Sequence, residues 1–153
     1  MRQGLTYDDV LLEPQYSDIQ SRKEVSLETD LGKGVRLRIP IIASPMDTVS
    51  EGSMAWGMGM AGGAAIVHRY NSIIEQTSMF DTISCNLISG GAVGVGDDML
   101  NRTAALVLHG AKIICIDVAH GHHILVKNAL TKLRKRFGND IHIMAGNVAT
   151  LEG

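Results

Sequence analysis

The sequence predicts an α/β fold in which parallel strands alternate with helices behind an N-terminal extension. Five short apolar runs, at residues 40–46, 64–68, 92–95, 112–118 and 141–148, are rich in small and β-branched residues. None alternates polar with apolar residues, so they read as strands buried on both faces, as a helix-covered parallel sheet requires. Helix signals fall between them, at the spacing of about 20 to 30 residues expected of βα units.

Taken in chain order, the first 35 or so residues have mixed polarity and read as an extension packed on the sheet. After the first run, Thr48-Val49-Ser50-Glu51 has the form of a capping box. The glycines of Gly57-Met58-Gly59-Met60-Ala61-Gly62 match a dinucleotide fingerprint in letters, but they precede a strand instead of following one. They are read as small residues allowing close helix packing, with Gly62-Gly63 as the helix end. Ser72-Ile73-Ile74-Glu75 is a second capping box, and Asp97-Asp98 is placed to cap the next helix. In the fourth helix Val126, Leu130, Leu133 and Phe137 form an apolar stripe, Lys127, Lys132, Arg134, Lys135 and Arg136 take the solvated face, and Gly138-Asn139 ends the helix.

Composition narrows the function classes. With 153 residues, 45% hydrophobic and 20% charged, the chain suits one soluble domain with its own core. A net charge of -2 supplies no diffuse positive field for nucleic acid or anionic lipid, so a small anionic ligand held by a local site is expected. The start lacks the apolar segment of a secretory signal, and the longest uncharged run, 52–68, is too short and glycine-rich to span a bilayer. Cys85 and Cys115 sit in apolar contexts without ligand spacing, which fits buried free thiols and a cytoplasmic location. His120, His122 and His123 lack the carboxylate and spacing of a zinc site, so no metal is expected.

In parallel α/β folds ligands bind at the carboxyl ends of strands. Ser44-Pro45-Met46-Asp47, His68-Arg69-Tyr70, Asp117-Val118-Ala119-His120 and Gly146-Asn147 all end runs. Any one of them alone reads as a helix cap; four on one rim make a composite site. By length, five βα units fit either a complete flavodoxin-like sheet or part of a (β/α)8 barrel, which typically needs about 250 residues.

Motifs decide between the two. Leu5-Thr6-Tyr7-Asp8-Asp9-Val10-Leu11-Leu12, Ser21-Arg22, Pro40-Ile41-Ile42-Ala43-Ser44-Pro45-Met46-Asp47-Thr48-Val49, Asp117-Val118-Ala119-His120-Gly121-His122 and Ala145-Gly146-Asn147-Val148-Ala149-Thr150 together resemble the IMP dehydrogenase/GMP reductase family. The resemblance implies an incomplete TIM (β/α)8 barrel, about its first five βα units after the extension, without the paired regulatory domains that many members insert after the second strand. It implies a purine nucleoside monophosphate on the strand-end rim and a nicotinamide cofactor across the base, with hydride transfer at purine carbon 2. By that resemblance Ser44 and Met46 line the nucleotide pocket and Asn147 bonds near the substrate. Asp117, Val118 and Ala119 meet the cofactor, and Ser21, Arg22 and Arg69 reach its far end or its phosphates.

The family's nucleophile is a cysteine after the sixth strand. The sequence ends after the fifth, so the chain alone is expected not to turn over, to be complemented by a C-terminal barrel chain, and to form a tetramer if completed. Ser44-Pro45-Met46 and residues 146–153 favour IMP dehydrogenase with NAD. The uninterrupted run from His68 to Ala92 and Asp117-Val118-Ala119 lean toward GMP reductase with NADPH. A noncatalytic nucleotide-binding module is the other reading.

Overall fold

A computed structural model of the protein describes residues 4–83 and 86–153, so Cys85 lies outside the described residues. A short antiparallel hairpin of β1 (Thr29–Asp30) and β2 (Arg36–Leu37) precedes a five-stranded parallel sheet. Its strands are β3 (Ile42–Ala43), β4 (Ala64–Val67), β5 (Gly90–Val93), β6 (Ile113–Ile116) and β7 (His142–Ala145), laid down in chain order. Helices α1 (Gly52–Ala61), α2 (Ile73–Ser78), α3 (Met99–Leu108) and α4 (Ile124–Phe137) occupy the four crossovers. Sequential order with every neighbour parallel is the arrangement of an incomplete (β/α)8 barrel; a flavodoxin-like sheet reverses its strand order at a switch point.

Strand periodicity separates two apolar layers. Ala65, Val67, Val93, Ile114 and Ile116 point to the helices and meet Ala55, Leu106, Val126, Ala129 and Leu133. Ile66, Ala92 and Ile113 point to the opposite, inner face, where Val35 from the hairpin and half-buried Leu31, Ile42, Cys115 and Met144 cover them. The α4 stripe falls as its spacing predicts, with Val126 and Leu133 buried and Leu130 and Phe137 packed beside them. Gly138 then ends the helix at φ 56°.

The third strand starts two residues earlier than its apolar run suggests, because Gly90 and Gly91 belong to it. A Cβ at Gly90 would lie 2.6 Å from both the Ile113 carbonyl oxygen and Ile66 Cδ1. Glycine here permits close approach of three strands and is not a turn signal. The remaining strands are shorter than their runs because the polar ends turn away from the ladder.

A buried polar network seals the carboxyl ends of β4 and β5. The Gln76 side-chain amide donates to the Val67 and Ala92 carbonyls at 3.2 and 2.9 Å, joining the strands where their register runs out. Arg102 fixes that amide by donating to Gln76 Oε1 at 2.8 Å, and also bonds Asp98 Oδ2 at 2.8 Å and the Asn71 carbonyl at 3.1 Å. Each fork of the guanidinium therefore has a partner, as a buried cation requires.

Three local expectations are corrected. Ser72 and Glu75 form the capping box they suggest, but Thr48-Val49-Ser50-Glu51 does not. Glu51 is the N-cap of α1 without a side-chain bond, and the Ser50 hydroxyl is drawn away to the Ser44 carbonyl. Asp98 likewise spends its carboxylate on Arg102 instead of capping α3. The extension does not pack: residues 4–28 are all exposed, with Leu11 and Leu12 at 97% and 98%. Only the hairpin that follows is seated, through Val35 and Leu37. Among the described residues, no helix is long and apolar enough to cross a membrane.

Two glycines should respond oppositely to alanine. Gly90→Ala places a methyl against a backbone oxygen that cannot yield, and should destabilise by about 1–3 kcal/mol in urea unfolding. Gly57, inside α1 with nothing within 4 Å of an added Cβ, should gain up to about 1 kcal/mol as Gly57→Ala.

Candidate functional site

Parallel strands deliver their carboxyl ends to one edge, and a cavity of about 510 Å³ opens there. Ser44 and Pro45 after β3, Asp117 after β6, and Gly146 and Asn147 after β7 line its rim, while Ile66, Cys115 and Met144 from the inner face form its floor. The volume falls in the range of small-molecule pockets, and an apolar floor below a few convergent polar groups is their usual construction. A Cβ on Gly146 would meet nothing within 4 Å, so that backbone is open to a ligand.

The β3–α1 loop is wound tightly. Val49 and Ser50 N–H both donate to the Met46 carbonyl, at 3.2 and 2.9 Å, and Thr48 takes a left-handed φ of 60°. Buried Ser50 closes the loop on itself through the Ser44 carbonyl, while its own carbonyl accepts from the His68 N–H at 3.1 Å. The β3–α1 loop thus rests on the end of β4.

Arg69 points the other way along the rim. Its Nε lies 3.3 Å from Asp117 Oδ2 and its Nη2 donates to the Asp117 carbonyl at 3.1 Å. Both side chains remain partly exposed, so the pair adds little to stability and stays open to exchange for a ligand. The Arg69 guanidinium also lies 5.5 Å from the Tyr70 ring centre, a cation–π contact. Gly94 at the end of β5 leaves room for it, since a Cβ there would come within 3.3 Å of Arg69 Nη1.

The β6–α4 turn is fixed to the end of β7. Gly121 N–H donates to the Asn147 carbonyl at 2.8 Å, and a Cβ on Gly121 would strike the Gly146 carbonyl. The Asn147 backbone is thereby held at the cavity that Asp117 also lines. His123 caps α4 by accepting from the Leu125 N–H at 3.1 Å, and the exposed His120 ring sits 6.5 and 6.3 Å from those of His122 and His123.

Of the residues singled out from sequence, Ser44, Asp117 and Asn147 share the cavity, and Arg69 joins through Asp117. Met46 is exposed on the same loop beside Pro45, outside the cavity lining. Val118 packs half-buried against the helix-side core and Ala119 is exposed, so Asp117 alone of that trio lines the cavity. Ser21 and Arg22 are not brought in: both are exposed on the extension, where Ser21 caps a single 3-10 turn by accepting from the Lys23 N–H at 3.3 Å.

Cys115 is a correction. Its apolar neighbours suggest a buried thiol, yet it is half-buried on the cavity floor, because alternation turns Ile114 and Ile116 to the helices and Cys115 inward. Burial, with Asp117 close by, pushes its pKa from 9.0 up to about 11. The floor residues Ile66 and Met144 were legible only through the same two-residue period, which a run of uniform hydrophobicity conceals.

Comparisons with known proteins identify a family. The sequence model of the IMP dehydrogenase / GMP reductase domain matches residues 4–153. Inosine-5'-monophosphate dehydrogenase of Cryptosporidium parvum is 34% identical over 193 aligned residues, covering 97% of this chain and 47% of that protein. GMP reductase of Leishmania donovani is 53% identical over 77 residues, which is 50% of this chain and 16% of that protein. GMP reductase of Mycoplasma mycoides is 31% identical over 147 residues, 94% of this chain and 45% of that protein. The chain spans half or less of the length of the curated relatives it matches from end to end.

The raised thiol has a pH signature. The native thiol holds its proton to about 11 and the unfolded one only to about 9.0. The unfolded chain therefore releases its proton first, and stability falls as pH rises from about 9 to 11. In a Cys85→Ser background, alkylation of Cys115 by iodoacetamide should stay slow to pH 9 and accelerate toward pH 11. Asp117→Asn should move that rise to lower pH, since it removes the nearby negative charge.

Proposed function

Because the chain belongs to the IMP dehydrogenase / GMP reductase family, we propose that residues 1–153 form the first part of its catalytic barrel and supply the nucleotide and cofactor contacts of an IMP dehydrogenase type oxidoreductase. The observation that carries the reading is the cavity on which Ser44, Asp117 and Asn147 converge from three strand ends. In this reading Ser44 and Met46 receive the purine nucleoside monophosphate, and Asn147 bonds near the base. Asp117 accepts hydrogen bonds from the ribose or nicotinamide of NAD. Arg69 offers its guanidinium to the cofactor's far end, the same part Ser21 and Arg22 would have to reach from the extension.

The donor set suits a dinucleotide lying across the rim. A partly exposed carboxylate at Asp117 and open backbone at Gly146 line the cavity, and a partly exposed cation at Arg69 lies beyond Asp117 along the rim. A nicotinamide dinucleotide held by Asp117 and Arg69 would supply the hydride acceptor for purine carbon 2. The chain's own residues bind and orient both partners and keep an apolar floor under the base. The Cys115 thiol, protonated at neutral pH, does not serve as the nucleophile, which in this family is a cysteine after the sixth strand.

A second reading, GMP reductase with NADPH, is favoured by the 53% identity over 77 residues to the Leishmania enzyme. The two share the rim and differ in the direction of hydride transfer. A cytoplasmic location and assembly into a tetramer once the barrel is completed belong to the same proposal.

Calorimetric titration tests it, using IMP, GMP, NAD and NADPH against the chain alone and mixed with the C-terminal half of a related barrel. Ser44→Ala should weaken IMP by about tenfold, the worth of one hydrogen bond to a charged or polar group, and leave the dinucleotide unchanged. Asp117→Ala should weaken the dinucleotide and spare IMP. Level affinities in both variants would remove these residues from the site, and tighter GMP than IMP binding with NADPH preferred over NAD would select the reductase.

A further inference from the structure

The β4–α2 turn carries three adjacent side chains, and only Arg69 is used in the reading above. His68 is nearly completely buried at the end of β4. Its Nδ1 accepts the Tyr70 N–H at 3.2 Å, which requires that nitrogen to be unprotonated. Its Nε2 lies 3.4 Å from Glu51 Oε1 and 3.8 Å from Asp47 Oδ1 and so donates toward the β3–α1 loop. The His68 N–H adds a third tie, to the Ser50 carbonyl. The Tyr70 ring stacks on the imidazole at 6.2 Å and carries Arg69 on its outer side.

We propose that His68 is a positioning residue for nucleotide binding, clamping residues 44–51 so that Ser44 faces the cavity. The inference rests on the nucleotide reading of that loop. Its physical basis is exposure: residues 46–49 are all exposed, one of them has a left-handed backbone, and the bonds to the Met46 and Ser44 carbonyls close the loop only on itself. Such a loop keeps one conformation only if the surrounding structure over-determines it. The imidazole does so from below, with both ring nitrogens engaged on opposite sides, and a neutral ring in the Nε2–H form satisfies the Tyr70 N–H and the Glu51 carboxylate at once.

The clamp lies one residue from Arg69 on the same turn. One side of the turn therefore orders the nucleotide loop, while Arg69 on the other reaches Asp117 independently of the imidazole.

The experiment is amide hydrogen exchange by NMR on the whole chain, with IMP and NAD titrations on the same samples. His68→Phe keeps a ring of comparable shape and removes both hydrogen bonds. Exchange at Val49 and Ser50 should accelerate by about tenfold and IMP affinity should fall, while Ile114 and Ile116 amides and NAD affinity hold. His68→Gln, which can again donate toward Glu51, should restore part of the protection and of the IMP affinity. Unchanged exchange at Val49 and Ser50 would overturn the inference. So would equal acceleration at Ile114 and Ile116, which would reduce His68 to core packing. Accelerated exchange in a protein whose wild type takes no IMP would leave the clamp standing and count against the nucleotide reading of the loop.

Discussion

The close approach of β4, β5 and β6 at Gly90 is the constraint on which the rest of the structure depends. The missing side chain lets the Ile113 backbone and the Ile66 side chain meet over the inner face. Because all five strands run parallel, that approach also fixes where their carboxyl ends emerge. A slip of one residue in β5 would turn Ala92 to the helices and Val93 into the interior, reversing both faces. The register thus sets both the core and the level at which Ser44, Asp117 and Asn147 converge.

Above that level the ladder is exhausted, and side chains take over its work. Gln76 donates to the Val67 and Ala92 carbonyls of β4 and β5 from the helix side, and Arg102 holds it there. Arg69 does the same for Asp117 from the rim, and Gly121 joins the β6–α4 turn to β7. In the buried network every guanidinium nitrogen of Arg102 has a partner, whereas the rim pair is partly exposed and weak. Stability and ligand access are therefore assigned to different groups: truncating Arg102 would strand buried polar atoms, while Arg69 can change partners at little cost.

Much of this was legible in the sequence. Uniformly apolar runs gave the strands, the α4 stripe its buried face, and Ser72 with Glu75 its cap, because each depends on residues near one another in the chain. The strand-end polar groups were visible as a set, and three of them do share a cavity. Elements decided by distant contacts were not legible. Gly90 lies outside its apolar run until Ile113 is placed beside it, and Asp98 reads as a cap until Arg102 competes for its carboxylate. Cys115 looks buried until the two-residue period assigns it a face. Val118 and Ala119 follow Asp117 in sequence, but they diverge from it as soon as the chain turns.

The central claim is that the strand-end cavity receives a purine nucleotide. Its most direct test is a 1H–15N chemical-shift titration of the chain with IMP. Shifts confined to Ser44, Asp117, Gly146 and Asn147, with Lys33 and Gly34 at the opposite end of the sheet unmoved, are the result this account predicts. Saturable shifts centred elsewhere, or none at these four amides while the core resonances show a folded protein, would contradict it.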